Sequence, residues 1–353
     1  MPTEWQESLS QKEKEKILKI LNSLGKFLWE QLWHEDMAIP RNLNVTTKDR
    51  MEQELILRYL FMRVALNQQG DSIKIRRFAK ELVEDLGREF LISPLDFLSN
   101  PEVYDKILLI ARKYGGEKGS ELYSPGRLRG IKPFYILMSR LSLFALFIHI
   151  LKHQKASLIE LLEKIIKDEE AVLRLNDWIM NEKYISLTWV GKDPKASRML
   201  TNWIIFLWTK KWNKSPSLGS SLMRKTLMIV DGHVGKVFAR TGLLEKVTYE
   251  SNRPYIIEAS KMRSSIEKIV NNIAANKNYV PFYIDYAAFT LGMSICDEVN
   301  PLCEIDSSTE RKKLINEKQP YGPIIKEYTR RLVCPLEEYC KKYTLWTAYR
   351  QKK

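Results

Sequence analysis

Trp189-Val190-Gly191-Lys192-Asp193-Pro194-Lys195-Ala196-Ser197-Arg198-Met199 is the stretch on which the reading of this chain turns. A glycine turn runs straight into a segment whose apolar residues recur at helical spacing as far as Trp212. Pro194 suits the first helical turn, where its missing N–H would have no intrahelical partner. Backbone N–H groups at such a turn and helix start are suited to a phosphate of DNA. Gly191 and Lys192 are therefore candidate DNA contacts. A second run follows: Ile229-Val230-Asp231-Gly232-His233-Val234-Gly235-Lys236-Val237, then Arg240-Thr241-Gly242-Leu243. An aspartate just ahead of a helical run is a candidate helix cap, and its carboxylate is a candidate for chemistry.

The four cysteines of the chain all fall between residues 296 and 340. They read Cys296-Asp297-Glu298-Val299-Asn300-Pro301-Leu302-Cys303 and Cys334-Pro335-Leu336-Glu337-Glu338-Tyr339-Cys340. Four thiolates meet the needs of a [4Fe–4S] cluster or of a structural zinc, and both chemistries stay open at this point. The plainer alternative is four inert core cysteines, though scattered core cysteines rarely gather in one stretch. A disulfide framework is not expected in a long basic chain whose first residues, Met1 to Lys16, carry no targeting signal.

Lys and Arg number 57 against 43 Asp and Glu, a formal charge of +14. That balance favours polyanions, nucleic acid first and an anionic membrane second. The bland reading is a solvated lysine-rich surface of the kind common in proteins from hot environments. The most apolar stretch, Pro133 to Leu151, is broken by Ser139, Arg140, Ser142 and His149, a pattern that suits a core helix better than a bilayer span. The expectation is a soluble, intracellular protein with no membrane partner.

Helical periodicity dominates the rest. Ile17, Ile20, Leu21, Leu24, Phe27, Leu28 and Leu32 mark an amphipathic helix. Residues 51–65, 72–90, 101–114, 132–153, 157–167 and 194–212 read the same way, with glycines and prolines gathered between them. No long alternating pattern announces a strand, so the expected class is all-α.

These residues together resemble the helix-hairpin-helix DNA glycosylases typified by endonuclease III and the 8-oxoguanine glycosylases. The family hairpin has the form Leu-Pro-Gly-Val-Gly-x-Lys-Thr-Ala, followed by a Val-Asp-x-His segment. Gly191 falls on its first glycine, Lys195 on its catalytic lysine, Asp231 on its catalytic aspartate, and His233 follows. Cys-x6-Cys with Pro-Leu-Cys-Glu, then Cys-Pro-Leu-x3-Cys, is similar to the cluster loop of endonuclease III. Asn67-Gln68-Gln69-Gly70-Asp71 resembles that enzyme's Ser-Ala-Gln-x-x-Asp turn, with Gln68 on its glutamine. The likeness spans about residues 52 to 345. The chain departs from the pattern in three places. Asp193 stands where the hairpin has its second glycine, and Lys195 and Asp231 are 36 positions apart, more than is usual for endonuclease III. Thirty residues, Glu304 to Val333, separate Cys303 from Cys334 where the family has two, so a cluster requires that insertion to loop out.

The resemblance implies a two-lobed, monomeric, cytoplasmic protein acting on double-stranded DNA that contains a damaged base. One lobe would be a helical barrel over 52–245; the other would join 1–51 to 246–353 and carry the metal through Cys296, Cys303, Cys334 and Cys340. The activity implied is base excision, with strand cleavage by β-elimination through a lysine Schiff base. Lys195 and Asp231 would be the catalytic pair. Gln68, or failing it Gln69, would fill the gap left by the extruded base. His233 is grouped with the DNA-contacting residues, in the role of orienting local backbone. Trp208 is expected in the core, while Trp203 and Trp212 are open to either core or base stacking. Two other readings compete: a non-catalytic nucleic-acid binder with zinc on the four cysteines, and a monofunctional glycosylase in which Lys195 only contacts phosphate.

Overall fold

The computed structural model describes residues 5–67, 72–116, 122–123, 133–181, 194–246, 255–297, 301–341 and 345–347. The chain is all-α: among the described residues helix accounts for 73% and strand for almost none. In order, the helices are α1 (Gln11–Met37), α2 (Arg50–Asn67), α3 (Ser72–Leu86), α4 (Glu89–Ile92), α5 (Pro94–Leu98), α6 (Pro101–Gly115), α7 (Pro133–His153) and α8 (Leu158–Ile165). They continue with α9 (Ala171–Asn181), α10 (Pro194–Phe206), α11 (Gly219–Arg224), α12 (Gly232–Arg240), α13 (Ala259–Lys277), α14 (Pro281–Met293), α15 (Ser308–Glu317) and α16 (Tyr321–Thr329). Four short strands, β1 (Trp5–Gln6), β2 (Glu245–Lys246), β3 (Tyr255–Ile257) and β4 (Leu345–Thr347), form an antiparallel β1–β2 pair and a parallel β3–β4 pair.

The chain divides into two compact units: residues 33–227, and residues 1–32 with 228–353. Both seams fall earlier than the expected 52 and 245. The consequence is specific: Asp231 and its helix belong with the cysteines, whereas Lys195 belongs to the other unit. The reason is packing, since α12 lies against α14.

Helix α2 forms the centre of the 33–227 unit. From Glu52 to Leu66 only Arg58 escapes full burial, and a helix buried all round needs neighbours on every side. Helices α3, α4, α7, α8 and α10 supply them. The buried carboxylates of α2 are paired, as burial demands. Glu54 accepts from Arg58 Nε (2.8 Å) and, with its other oxygen, from Ile159 N (2.9 Å) at the start of α8. Glu52 accepts from Asn44 N (2.8 Å) and pairs with Arg88 (2.6 Å). The end of α2 is held just as firmly: Leu66 O accepts from Tyr123 OH (2.9 Å) and Arg140 Nη1 (3.0 Å). Burial pushes the Tyr123 hydroxyl up to about 12. Helix α7 is long and apolar enough to cross a membrane; it packs on α2 and α5 and buries Leu137, Leu141, Phe144 and Phe147.

In the terminal unit α14 plays the corresponding part. Almost all of it is buried, between α1 as far as Leu32, α12 and α13. Trp29 meets Phe282 and Tyr286 edge-on, with centroids 4.7 and 5.0 Å apart. Two glycines permit the close approaches. A Cβ on Gly25 would lie 1.7 Å from Tyr283 O, and one on Gly292 would lie 2.3 Å from His233 O. Because both obstacles are backbone, Gly25→Ala must spread α1 from α14. Overpacking of this kind costs about 1–3 kcal/mol. Thermal denaturation of Gly25→Ala is expected to show a lowered Tm; an unchanged Tm would contradict the close contact.

Candidate active site and candidate metal centre

Lys195 is the second residue of α10 and is half-buried. Gly191 and Lys192, just ahead of it, lie outside the described residues, as do Gln68 and Gln69. Within the same unit, Asn202 of α10 grips the backbone of Leu227 from both sides. Its Nδ2 donates to Leu227 O (2.7 Å) and its Oδ1 accepts from Leu227 N (2.9 Å). The chain is thereby fixed four residues before Asp231. The three tryptophans of this region, Trp203, Trp208 and Trp212, are all buried. Trp203 lies under the Arg63 guanidinium (4.4 Å to the ring centroid), Trp208 donates to Ser215 Oγ (3.0 Å) and Trp212 to Val45 O (3.0 Å). Core is therefore the place of all three, not of Trp208 alone.

Asp231 is the N-cap of α12, with extended backbone. Its Oδ1 accepts from His233 N (2.8 Å) and Val234 N (3.0 Å), two of the donors a helix start leaves unsatisfied. The other carboxylate oxygen takes no hydrogen bond from the described residues. One oxygen thus anchors the side chain, and the second is left for a ligand or a reacting centre. His233 places Nδ1 3.1 Å from Gly292 O and stands edge-on to Phe289 (5.6 Å). It ties the first turn of α12 to α14.

The other end of α12 meets the cysteines. Cys296, Cys303, Cys334 and Cys340 line one pocket, together with Val237, Arg240 and Leu291. Each thiol is set by backbone turns. Cys296 N donates to Leu291 O (2.8 Å) as α14 ends, and Leu302 N donates to Ile295 O (2.9 Å). Glu337 N donates to Cys334 O (3.0 Å), Cys340 N to Glu337 O (3.2 Å), and Lys341 N to Arg240 O (2.7 Å). Cys303 Sγ lies 3.4 Å from Cys340 Sγ. That hydrogen bond, burial and the nearby sulfurs together push the Cys303 thiol far up. Burial, joined by Cys296, does the same to Cys334. Burial also raises Cys296, against the pull of Arg240 and Lys236. Arg240 Nη1 donates to Cys296 Sγ (3.1 Å) and to Asp297 O. Arg240 is 1% exposed and Lys236 3%.

Four sulfurs lining one pocket, with the Arg240 guanidinium on its α12 wall, form a donor set that suits a thiophilic centre. Four thiolates around either Zn²⁺ or a [4Fe–4S]²⁺ core leave a net double negative charge, and Lys236 and Arg240 oppose that sign. Among the described residues no group of His, Cys, Asp and Glu closes to the geometry of a single bound ion. The insertion between Cys303 and Cys334 is folded: α15 and α16 pair as a helical hairpin that leaves and rejoins the chain beside the pocket. Lys236, Arg240 and the arginine of that hairpin, Arg311, carry no signal in the sequence, since each is one basic residue among 57.

Comparison of the chain with known protein families, with characterised proteins and with solved structures finds no match.

Proposed function

We propose that this chain is a DNA repair glycosylase of the helix-hairpin-helix type, excising a damaged base and cleaving the strand through a lysine Schiff base. The observation that carries the reading is α12 itself. Asp231 caps one end with an oxygen to spare, and the four cysteines meet at the other.

Cys296, Cys303, Cys334 and Cys340 would hold a [4Fe–4S] cluster, or zinc in its place. When bound, that group supplies a cross-link between two distant segments of the chain. The remaining chemistry belongs to the side chains. Loss of a base develops positive charge on the deoxyribose, as in glycoside cleavage. A fixed carboxylate stabilises that charge, and Asp231 meets the requirement without reorganisation because α12 already holds it. The Lys195 amine forms a bond to C1′ as the bond from C1′ to the base breaks; the base leaves with the electron pair and takes up the proton that the attacking nitrogen gives up. Opening of the sugar ring gives the iminium. Loss of a C2′ proton then expels the 3′ phosphate, and water releases the lysine.

Two outcomes test the reading. In a panel of duplexes, each with one lesion (oxidised purine, oxidised pyrimidine, uracil, hypoxanthine), at least one is expected to lose its base and be nicked. A chain inert on all four and on abasic DNA leaves the non-catalytic binder as the better account. Duplex affinity is expected to fall steeply with salt, because lysines and arginines that neutralise phosphates release counterions. About six to ten phosphate contacts correspond to a loss of roughly 10³–10⁵ between 50 and 200 mM salt. Binding that stays flat over that range contradicts a phosphate-tracking surface.

A further inference from the structure

We infer that Arg311 is a positioning residue for the four-cysteine pocket: it clamps the two ends of the α15–α16 insertion so that Cys303 and Cys334 can share one site. The inference rests on the metal reading above and adds to it how that pocket is assembled.

Arg311 lies in the first turn of α15, a helix capped by Ser307, whose Oγ accepts from Glu310 N (3.4 Å). From there its guanidinium turns back to the base of the insertion. Nε donates to Ile305 O, two residues after Cys303. Nη1 donates to Leu332 O (3.2 Å), two residues before Cys334. Nη2 donates to Glu337 Oε1 (3.1 Å), and Glu337 lies between Cys334 and Cys340. One planar fork thus reaches three segments, each within three residues of a cysteine. A lysine cannot copy this, being a single point of charge without the fork.

The rest of the insertion is self-supporting. A Cβ on Gly322 would lie 2.0 Å from Ile315 O, so α15 and α16 pack backbone against backbone there. Tyr328 of α16 meets Phe27 of α1 at a tilt of 51°, with centroids 5.5 Å apart. The hairpin therefore has its own support, and what reaches the cysteines is the distance between its ends. Since Ile305 and Leu332 both bond to one guanidinium, two residues are enough to join them; two inserted glycines span up to about 11 Å between flanking Cα atoms.

Cobalt(II) is the probe, because its absorption reports thiolate ligands directly. The full chain is expected to take up Co²⁺ with thiolate charge-transfer bands. Arg311→Met is expected to weaken that binding about 10–100-fold, the usual effect of losing a group that orients ligands, and Arg311→Lys to fall in between. Replacing 306–331 by Gly-Gly removes Arg311 together with the insertion whose ends it clamps, joins Ile305 to Leu332 directly, and is expected to restore wild-type affinity. An Arg311→Met chain that binds as well as wild type overturns the clamp. So does a folded deletion chain that binds no better than Arg311→Met, since the arginine would then act by its charge on the thiols. A second readout needs neither metal nor deletion. With Cys296 and Cys340 replaced by serine, a short dimaleimide is expected to join Cys303 to Cys334 when Arg311 is present and to fail in Arg311→Met; equal yields overturn the clamp. A chain that takes up no Co²⁺ and holds neither iron nor zinc as purified rejects the metal reading, while the cross-link still decides the role of Arg311.

Discussion

Asp231→Asn is expected to slow base excision about a hundred- to a thousand-fold, or 2.7–4 kcal/mol, the typical loss when one group that stabilises transition-state charge is removed. The substitution separates chemistry from structure because of where Asp231 sits. Its Oδ1 caps α12 through His233 N and Val234 N, and asparagine caps a helix as well as aspartate does. The fold and the start of α12 should therefore persist, and only the charge is lost. Single-turnover rates on the preferred lesion, paired with thermal denaturation, check both halves. A rate within a few-fold of wild type removes Asp231 from the chemistry. A large fall in Tm makes it a structural cap and nothing more.

The second large effect concerns the thiols. Cys303→Ser is expected to abolish metal retention and to destabilise the terminal unit, because binding at such a site is coupled to folding. Apparent binding energies of about 10–16 kcal/mol are found for structural zinc in small domains. Cys303 is the buried one of the four, and its sulfur lies 3.4 Å from that of Cys340. Anaerobically purified wild type should be brown, absorb near ~400 nm, and release iron and acid-labile sulfide on acidification. Colourless protein with stoichiometric zinc replaces the cluster by a zinc knuckle. Protein with neither metal returns the pocket to four core thiols.

Much of the fold was readable because the signals were local. The segment read as 51–65 is α2, and 101–114 is α6, where Asn100 caps and Pro101 opens the helix. The segment read as 72–90 stops at Leu86 because Gly87 turns left-handed, at φ +82°. That read as 194–212 is α10 up to Phe206 and then widens to a π-helical turn, Leu207–Lys211, with Trp212 N bonded to Leu207 O (2.8 Å). Helix α14 was illegible for the opposite reason: being apolar on every side, it has no stripe. The cap at Asp231 and the grouping of the cysteines could be read from spacing. The seams of the two units could not, because they depend on α12 packing against α14, and that contact turns on Gly292 meeting His233 O. Nor could the pairing of Arg240 with Cys296 or the fork of Arg311, both contacts between residues far apart in the chain.

The reading as a Schiff-base enzyme comes down to one amine. Borohydride added during reaction on abasic or damaged duplex reduces the iminium and leaves protein covalently joined to DNA. The account predicts that adduct with the wild-type chain, its absence with Lys195→Ala, and nearly unchanged duplex binding by that variant, since one charge is a small part of the phosphate contact. An adduct that survives Lys195→Ala moves the nucleophile elsewhere, with Lys192 the first to examine. No adduct with wild-type protein on any of these duplexes contradicts the account.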